Sequence, residues 1–272
     1  MALVVRTWNL FHGNAVPPER SAYLREMVEL AVADDPDVLC LQEVPAWALS
    51  RLGAWSGMEA VTALAAPPRL GPLRWPAAAG RLVTDLNHGL LRSAFTGQGN
   101  AVLVARRHRV LAAETLVLNP PRFRRGQARW LGLDPVSRLA WAKERRVCQA
   151  VRIAAAGGAG GETVLVANLH ATSYAADERL ADAELRRASA FVDALARRGE
   201  PVVLCGDTNI LPERSGALRE LAAEGFSAPA PGIDQVLARG LPASPPSCWP
   251  EGRRRLGGRL LSDHAPVEVT VG

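Results

Sequence analysis

Two carboxylates stand at the ends of runs that are otherwise apolar. DVLCLQE (37–43) closes on Glu43, and PVVLCGD (201–207) closes on Asp207. Burying a carboxylate costs several kcal/mol unless a cation or a donor meets it. A hard divalent cation such as magnesium takes oxygen ligands of this kind and needs only one or two protein carboxylates. The other use of either acid is as a cap at a strand-to-loop junction. Asn209 follows Asp207 by two residues in GDTN. In extended backbone such positions face the same way. Asp207 and Asn209 could then address one water or one phosphate together; an Asx-turn is the alternative. SDHAPV (262–267) puts Asp263 and His264 directly before a terminal strand. A histidine acts from one ring nitrogen when an acceptor orients the other. Asp234, opening the preceding strand in GIDQV, is a candidate for that acceptor.

These side chains need elements to hold them. Residues 2–9 read as a strand ending at Asn9, rich in β-branched and aromatic residues. Leu24, Met27, Val28, Leu30 and Ala31 then recur at helical spacing, and Pro36 ends the helix before the strand 37–43. The pattern returns in TVLVANLH (163–170), which ends in Asn168 and His170. A helix marked by Leu185, Ala188, Phe191, Val192 and Leu195 follows, then Gly199 and Pro201, then the strand closing on Asp207. A strand, an asparagine, a helix, a strand and an acid thus occur twice. Matched polar ends imply strand ends converging on one site, because ligands gather where strand ends meet.

Between the halves, 99–105 and 110–118 read as strands, and 146–153 and 163–169 flank a glycine-rich hairpin loop, AAAGGAGG. Residues 119–146 read as a long surface insertion, and 46–98 carry no clean period. A helix at 215–224, a strand IDQVLA, a Pro/Arg-rich loop at 242–259 and a last strand PVEVTV complete the chain. No linker divides the 272 residues, so a single domain is expected.

Hydrophobic residues make up 48% and charged residues 22%, which excludes a disordered chain. No apolar run reaches the ~20 residues that span a membrane. The start, MALVVRTWNL, lacks a signal peptide's long apolar region. Cys40, Cys148, Cys205 and Cys248 form no CxxC pair, which argues against a zinc knuckle. Cys40 and Cys205 sit in apolar runs and read as small buried hydrophobes. A reduced, cytoplasmic enzyme with no membrane and no obligate protein partner is the expectation.

The net charge of +5 invites a polyanion. Lys143 is the sole lysine, and much Ala, Gly and Pro accompanies the arginine, so part of the basicity is a coding bias. Its distribution is uneven: residues 122–146 carry +6 and the remainder −1. Arginine pairs bidentately with phosphate, and Trp130 and Trp141 interleave with the basic residues as base stacking would require. The two tryptophans could equally anchor the insertion to the core, and the arginines could form a solvated surface. Arg253, Arg254, Arg255 and Arg259 lie between Asp234 and Asp263 and are expected to flank the site. His88 and His108 have no partner motif and read as surface or helix residues.

Taken in order, WNL with Asn9, LQEV with Glu43, GNAVL with Asn100, NLH with His170, GDTN, GIDQV and SDHAPV resemble the endonuclease/exonuclease/phosphatase superfamily. Each motif is weak, but the ordered set spans 9–264 and is specific. The resemblance implies an α/β fold, a four-layer α/β/β/α sandwich with two mixed sheets packed face to face and the site at one edge. It implies magnesium, with manganese as the substitute, at Glu43, supported by Asn9 and Asp263. It implies that Asp207 and Asn209 position or deprotonate the attacking water, that His170 and His264 stabilise phosphoryl charge, and that Asp234 orients His264. His12 and Asn100 would contact the substrate. Catalysis would be positioning plus electrostatic stabilisation. Two departures stand out. Phe11 occupies a position where some nucleases of the family carry an acid, and His170 stands where some repair members use tyrosine. The expected activity is magnesium-dependent hydrolysis of a phosphodiester, nuclease-like. The alternatives are a phosphatase or phosphodiesterase acting on a small-molecule or lipid phosphoester, and a catalytically inactive phosphate-binding module.

Overall fold

In the computed structural model, residues 2–19, 21–70, 73, 74, 76, 96–156 and 162–272 are described. The valine-rich runs form the strands. In chain order these are β1 (Leu3–Asn9), β2 (Val38–Val44), β3 (Glu59–Ala66), β4 (Gln98–Val104), β5 (Arg109–Val117), β6 (Val147–Ala154), β7 (Thr163–His170), β8 (Val202–Asp207), β9 (Asp234–Arg239), β10 (Ser247–Cys248) and β11 (Val267–Val271). The helices are α1 (Leu24–Val32), α2 (Leu52–Ser56), α3 (Pro121–Trp130), α4 (Pro135–Lys143), α5 (Arg179–Leu195) and α6 (Gly216–Ala223). One sheet runs β10-β11-β1-β2-β4-β3 and the other β9-β8-β7-β6-β5.

Period-two alternation sends successive side chains to opposite faces of each strand, and in the central strands both faces are buried, while the edge strands β3 and β5 stay partly and largely exposed, respectively. Leu3, Val5, Val38 and Cys40 of the first sheet meet Val151, Val166, Val203 and Cys205 of the second in one inner core. The opposite face of the first sheet (Trp8, Leu39, Leu41) packs on Met27 and Val28 of α1 and Leu52 of α2. The opposite face of the second (Leu165, Ala167, Leu169) packs on Leu185 and Ala188 of α5 and Leu218 of α6. The result is the expected four-layer α/β/β/α sandwich.

The repeat read in the sequence is a repeat of structure. β1 and β2 pair in parallel across α1, as β7 and β8 do across α5. Each parallel pair is flanked by antiparallel strands: β11 and β4 in one sheet, β6 and β9 in the other. Asn168 bonds the sheets together. Its amide donates to Leu41 O at 3.0 Å and Ala101 O at 2.9 Å, and its oxygen accepts from Gln42 Nε2 at 2.6 Å.

Residues 119–146, read as a long surface insertion, form the helical hairpin α3–α4. Pro121 and Pro135 occupy first-turn positions, where a missing N–H costs nothing, and Asp134 caps α4 by accepting from Val136 N and Ser137 N. Trp141, 1% exposed, anchors the hairpin against Leu180 and donates to Glu184 at 2.5 Å, whereas Trp130 is 78% exposed. His108 is buried rather than superficial; its partner, Asp37, is too distant in sequence to form a motif. Within 46–98, α2, β3 and the start of β4 are ordered elements; His88 lies outside the described residues, as do 157–161 of the glycine-rich loop. Cys40, Cys148 and Cys205 are buried and Cys248 is exposed. Among the described residues no helix is long and apolar enough to cross a membrane.

Candidate active site

Because each parallel pair ends on the same side, the C-terminal ends of β1, β2, β7 and β8 deliver their last residues to one edge of the sandwich. Two backbone devices aim the acids. The β2–β4 register shifts between Leu41 and Val44, and Glu43 within that bulge takes φ +53°. A bulge re-aims a side chain, and a non-glycine residue at positive φ is strain of the kind kept at functional sites. At β8, Gly206 takes φ +128°, and a Cβ there would collide with the Leu169 carbonyl of β7. Only glycine lets the backbones approach so closely, and the register then sets Asp207 opposite His170.

The side chains converge. Asn9 Nδ2 donates to Asp207 Oδ2 at 2.9 Å, joining the two sheets across the site. His170 Nε2 lies 3.6 Å from both Glu43 Oε1 and Asp207 Oδ2, and His12 Nε2 lies 3.2 Å from Glu43 Oε2. His264 Nδ1 is 2.8 Å from Asp234 Oδ2, while its Nε2 faces Asp207 Oδ2 and Asp263 Oδ1, each at 3.9 Å.

The electrostatics separate the groups. Burial, reinforced by the charge of Asp234, pushes Asp207 up to about 7, against the pull of His264, Asn9 and Asn209. Burial works against a charged His264, but the hydrogen bond and charge of Asp234, with Asp207 and Asp263, raise it to about 10. Burial holds His170 well below its ordinary value, and Arg146, His264 and His12 add to the shift. At neutral pH His264 is therefore the cationic imidazole and His170 the neutral one. Asp263 is raised, chiefly by burial and partly by the nearby Glu43 charge.

Some expected residues are used differently. Asn209 leaves extended conformation at φ +50°; its N–H donates to Asp207 Oδ1 at 2.9 Å and its amide to Ala171 O at 2.9 Å. The Asx-turn is built, so the same-face argument does not apply, and Asn209 fixes the orientation of Asp207. Asn100 Nδ2 donates to Val147 O at 3.2 Å, a bond between the sheets. Arg253, Arg255 and Arg259 are paired with Asp34, Glu251 and Glu19. Arg254 is buried, and its Nη1 donates to the carbonyls of Leu261, Ser262 and His264.

Three contributors have roles that the sequence reading did not assign them. Arg254 clamps the loop that carries Asp263 and His264. Ser262, at φ +59°, donates to Asn9 O at 2.7 Å and accepts from His264 N at 3.0 Å. Arg146, 5% exposed, places Nη1 2.8 Å from both ring nitrogens of His170 and pairs with Glu144. The only sign of Arg146 in the sequence was its position next to the strand VCQAVRI.

Two ligand sets for a cation lie here. Asp207, Asp234 and His264 bring one donor atom each within 4.8 Å of one another. Glu43 and Asp263, near enough that the Glu43 charge helps raise Asp263, offer oxygen alone, while the Asn9 amide oxygen accepts from Phe11 N at 3.0 Å.

A comparison with curated protein sequences returned no match. Solved structures share the fold. A functionally unknown conserved protein from Enterococcus faecalis V583 superposes with a TM-score of 0.65 at 15% identity, over 99% of each chain. An endonuclease/exonuclease/phosphatase from Beutenbergia cavernae gives 0.66 at 17% identity, over 99% of this chain and 71% of its own. The human Nocturnin catalytic domain, solved with a bound sulfate anion, gives 0.62 at 17% identity, over 100% of this chain and 93% of its own. The model of the endonuclease/exonuclease/phosphatase family matches residues 7–264, nearly the whole length, and the chain belongs to that family.

Proposed function

We propose that the protein is a magnesium-dependent phosphodiesterase of nuclease-like type. The observation that carries this reading is the convergence of Glu43, His170, Asp207 and His264 from both sheets, with an ionisable carboxylate facing a histidine held protonated. The sulfate on the Nocturnin domain, a tetrahedral oxyanion on the same fold, is consistent with it.

Asp207 takes the proton of the attacking water; a group titrating near neutrality is a suitable base. The water oxygen bonds to phosphorus as the bond to the leaving oxygen breaks, and that oxygen takes a proton from solvent. Asn9 and the Asn209 N–H hold the carboxylate in register. His264 donates its Nε2–H to the developing phosphoryl charge, and Asp234 holds it protonated and oriented. His170, being neutral, cannot carry that charge; Arg146 beside it supplies the positive charge. A hard cation fits the all-oxygen set better than the set containing His264, because that imidazole is already engaged with Asp234. Glu43 and Asp263, with Asn9 in support, would hold it. Magnesium held there would supply Lewis-acid polarisation of the phosphoryl oxygens.

The test is hydrolysis of an aryl phosphodiester, an aryl phosphomonoester and plasmid DNA, each with magnesium and with chelator. Diester and DNA cleavage that chelator abolishes is expected. Monoester turnover alone would make the protein a phosphatase, and no turnover on any substrate would make it an inactive binding module.

A further inference from the structure

The hairpin α3–α4 forms an open cleft of about 490 Å³, lined by Pro121, Arg124, Arg125, Arg129, Arg138 and Trp141 among others. That volume is in the range of ligand pockets. Elsewhere some arginines are ion-paired (Arg107 with Asp35, Arg152 with Glu200, Arg186 with Glu220, Arg239 with Asp193), while others, such as Arg197, Arg198 and Arg219, have no ion-pair partner among the described residues. Among the described residues none of the four pocket arginines has an ion-pair partner. Three of them spend a donor on backbone: Arg124 on Trp141 O at 3.2 Å, Arg129 on Arg125 O at 3.4 Å and Arg138 on Leu133 O at 2.8 Å. Each bond fixes a guanidinium and leaves its other donors for a ligand. Burial, with the Arg145 and Arg125 charges, lowers the pKa of Arg124 against the opposing charge of Glu184. Four like charges gathered around one cleft, none of them in an ion pair, favour an anion.

The cleft is also rigidly tied to the catalytic edge. Trp141 donates to Glu184, and Glu184 accepts from Thr172 N at 2.8 Å and Oγ1 at 2.7 Å, two residues beyond His170. The hairpin then runs directly into Arg146. We propose that this pocket is an exosite that binds a backbone phosphate of a nucleic-acid strand whose scissile phosphodiester lies at the Asp207–His264 site. The proposal rests on the phosphodiesterase reading above and gives it a substrate class. Guanidinium forks match phosphate oxygens two at a time, and a site held in place before binding loses little entropy on binding.

The test compares the wild type with Arg125→Gln/Arg129→Gln/Arg138→Gln, all exposed positions, and with an equal charge change elsewhere, Arg197→Gln/Arg198→Gln/Arg219→Gln. Binding of a fluorescent 12-nucleotide strand is read by anisotropy in chelator, apart from turnover on an aryl phosphodiester in magnesium. The pocket variant should bind the strand about tenfold more weakly, with a salt slope smaller by about one, as loss of a phosphate contact requires. Its aryl diester turnover should match the wild type, and the distant triple should lose little. Equal weakening in both triples would mean net charge only and would overturn the exosite. So would a parallel loss of diester turnover, which would make the hairpin part of the catalytic site. A wild type that does not bind the strand, or that binds ADP as tightly as the strand, also overturns it. Strand binding lost in the pocket variant, in a wild type that cleaves no phosphodiester, would sustain the exosite while refuting the activity.

Discussion

An aspartate–histidine pair occurs at each end of this sandwich. Asp37 stands just before β2, and His108 Nε2 meets its Oδ1 at 2.6 Å. Asp234 opens β9, and His264 Nδ1 meets its Oδ2 at 2.8 Å. The two differ in what is left over. Asp37 also accepts from Val4 N at 2.7 Å and Arg107 Nε at 2.8 Å, and the second nitrogen of His108 accepts from Ala156 N at 2.9 Å. All of its valences are spent within the fold. At the site end, Asp234 Oδ1 is buried without a hydrogen-bond partner, and His264 Nε2 faces two further carboxylates at 3.9 Å. An acid–histidine pair becomes chemical when one ring nitrogen is kept from the protein; a satisfied pair is a clamp.

The largest expected effect breaks the active pair. Asp234→Asn should leave the fold intact and cut turnover by up to about 10⁴-fold, the cost of a wrongly held histidine in a serine protease. His264→Ala should cost a comparable amount and the double variant little more, since residues acting as one unit are non-additive. A double-mutant cycle at saturating magnesium measures this. Multiplicative losses would show the residues acting independently.

Next is the cation. Glu43→Gln removes the charge that holds a hard ion, and magnesium activation should weaken by at least about 100-fold, the upper range for loss of a supporting contact to a metal ligand. The variant should keep its melting temperature in chelator. If magnesium titrations of activity in the variant and the wild type coincide, Glu43 is a structural cap and the cation sits elsewhere.

The clamp should respond oppositely. Asp37→Asn or His108→Ala should cost about 1–3 kcal/mol of stability, the penalty for stranding a buried partner, with turnover per folded molecule unchanged. Chemical denaturation alongside the diester assay separates the two readouts. Lost turnover in a folded Asp37→Asn would erase the distinction between the ends.

What the sequence revealed of these ends follows the same logic. Asn9, Glu43, His170 and Asp207 were legible because each polar residue closes an apolar run, and a strand end is a place rather than a property of one residue. The two sheet-plus-helix halves were legible because the strand–helix–strand unit recurs, whereas the four layers came from the resemblance carried by the ordered motifs. Arg146 was hidden among seven other basic residues of one stretch, and only packing shows which of them turns inward. The pairing of His108 was hidden because Asp37 lies 71 residues away. The aim of Glu43 depends on a bulge, which no residue type announces. The helices of the hairpin went unread within the surface insertion because its buried positions are few, chiefly Ala128, Leu133 and Trp141.

The smallest effect sharpens the comparison through pH, in chelator, where no cation masks it. Asp207 has its folded pKa raised from 3.8 to about 7, so its protonated form favours the fold. That contribution is fully present below about 4 and is lost as pH rises through about 7. His264 is raised from 6.5 to about 10, so its contribution is lost as pH rises through about 10. Both groups make the site end less stable as pH rises. Asp37 has the opposite sign. Burial opposes its ionisation, but the Val4 amide, His108 and Arg107 depress its pKa, so its contribution is present above 3.8 and lost in acid. Asp207→Asn should therefore melt a few degrees above the wild type at pH 8.5 and close to it at pH 5, since 1 kcal/mol shifts a protein of this size by about 2–4 °C. Asp37→Asn should melt below the wild type at both pH values. The measurement is thermal unfolding in chelator at the two pH values, repeated with magnesium at pH 8.5, where a bound cation should shrink the advantage of Asp207→Asn. An advantage equal at both pH values would mean that Asp207 is not the reluctantly ionised carboxylate that its burial implies.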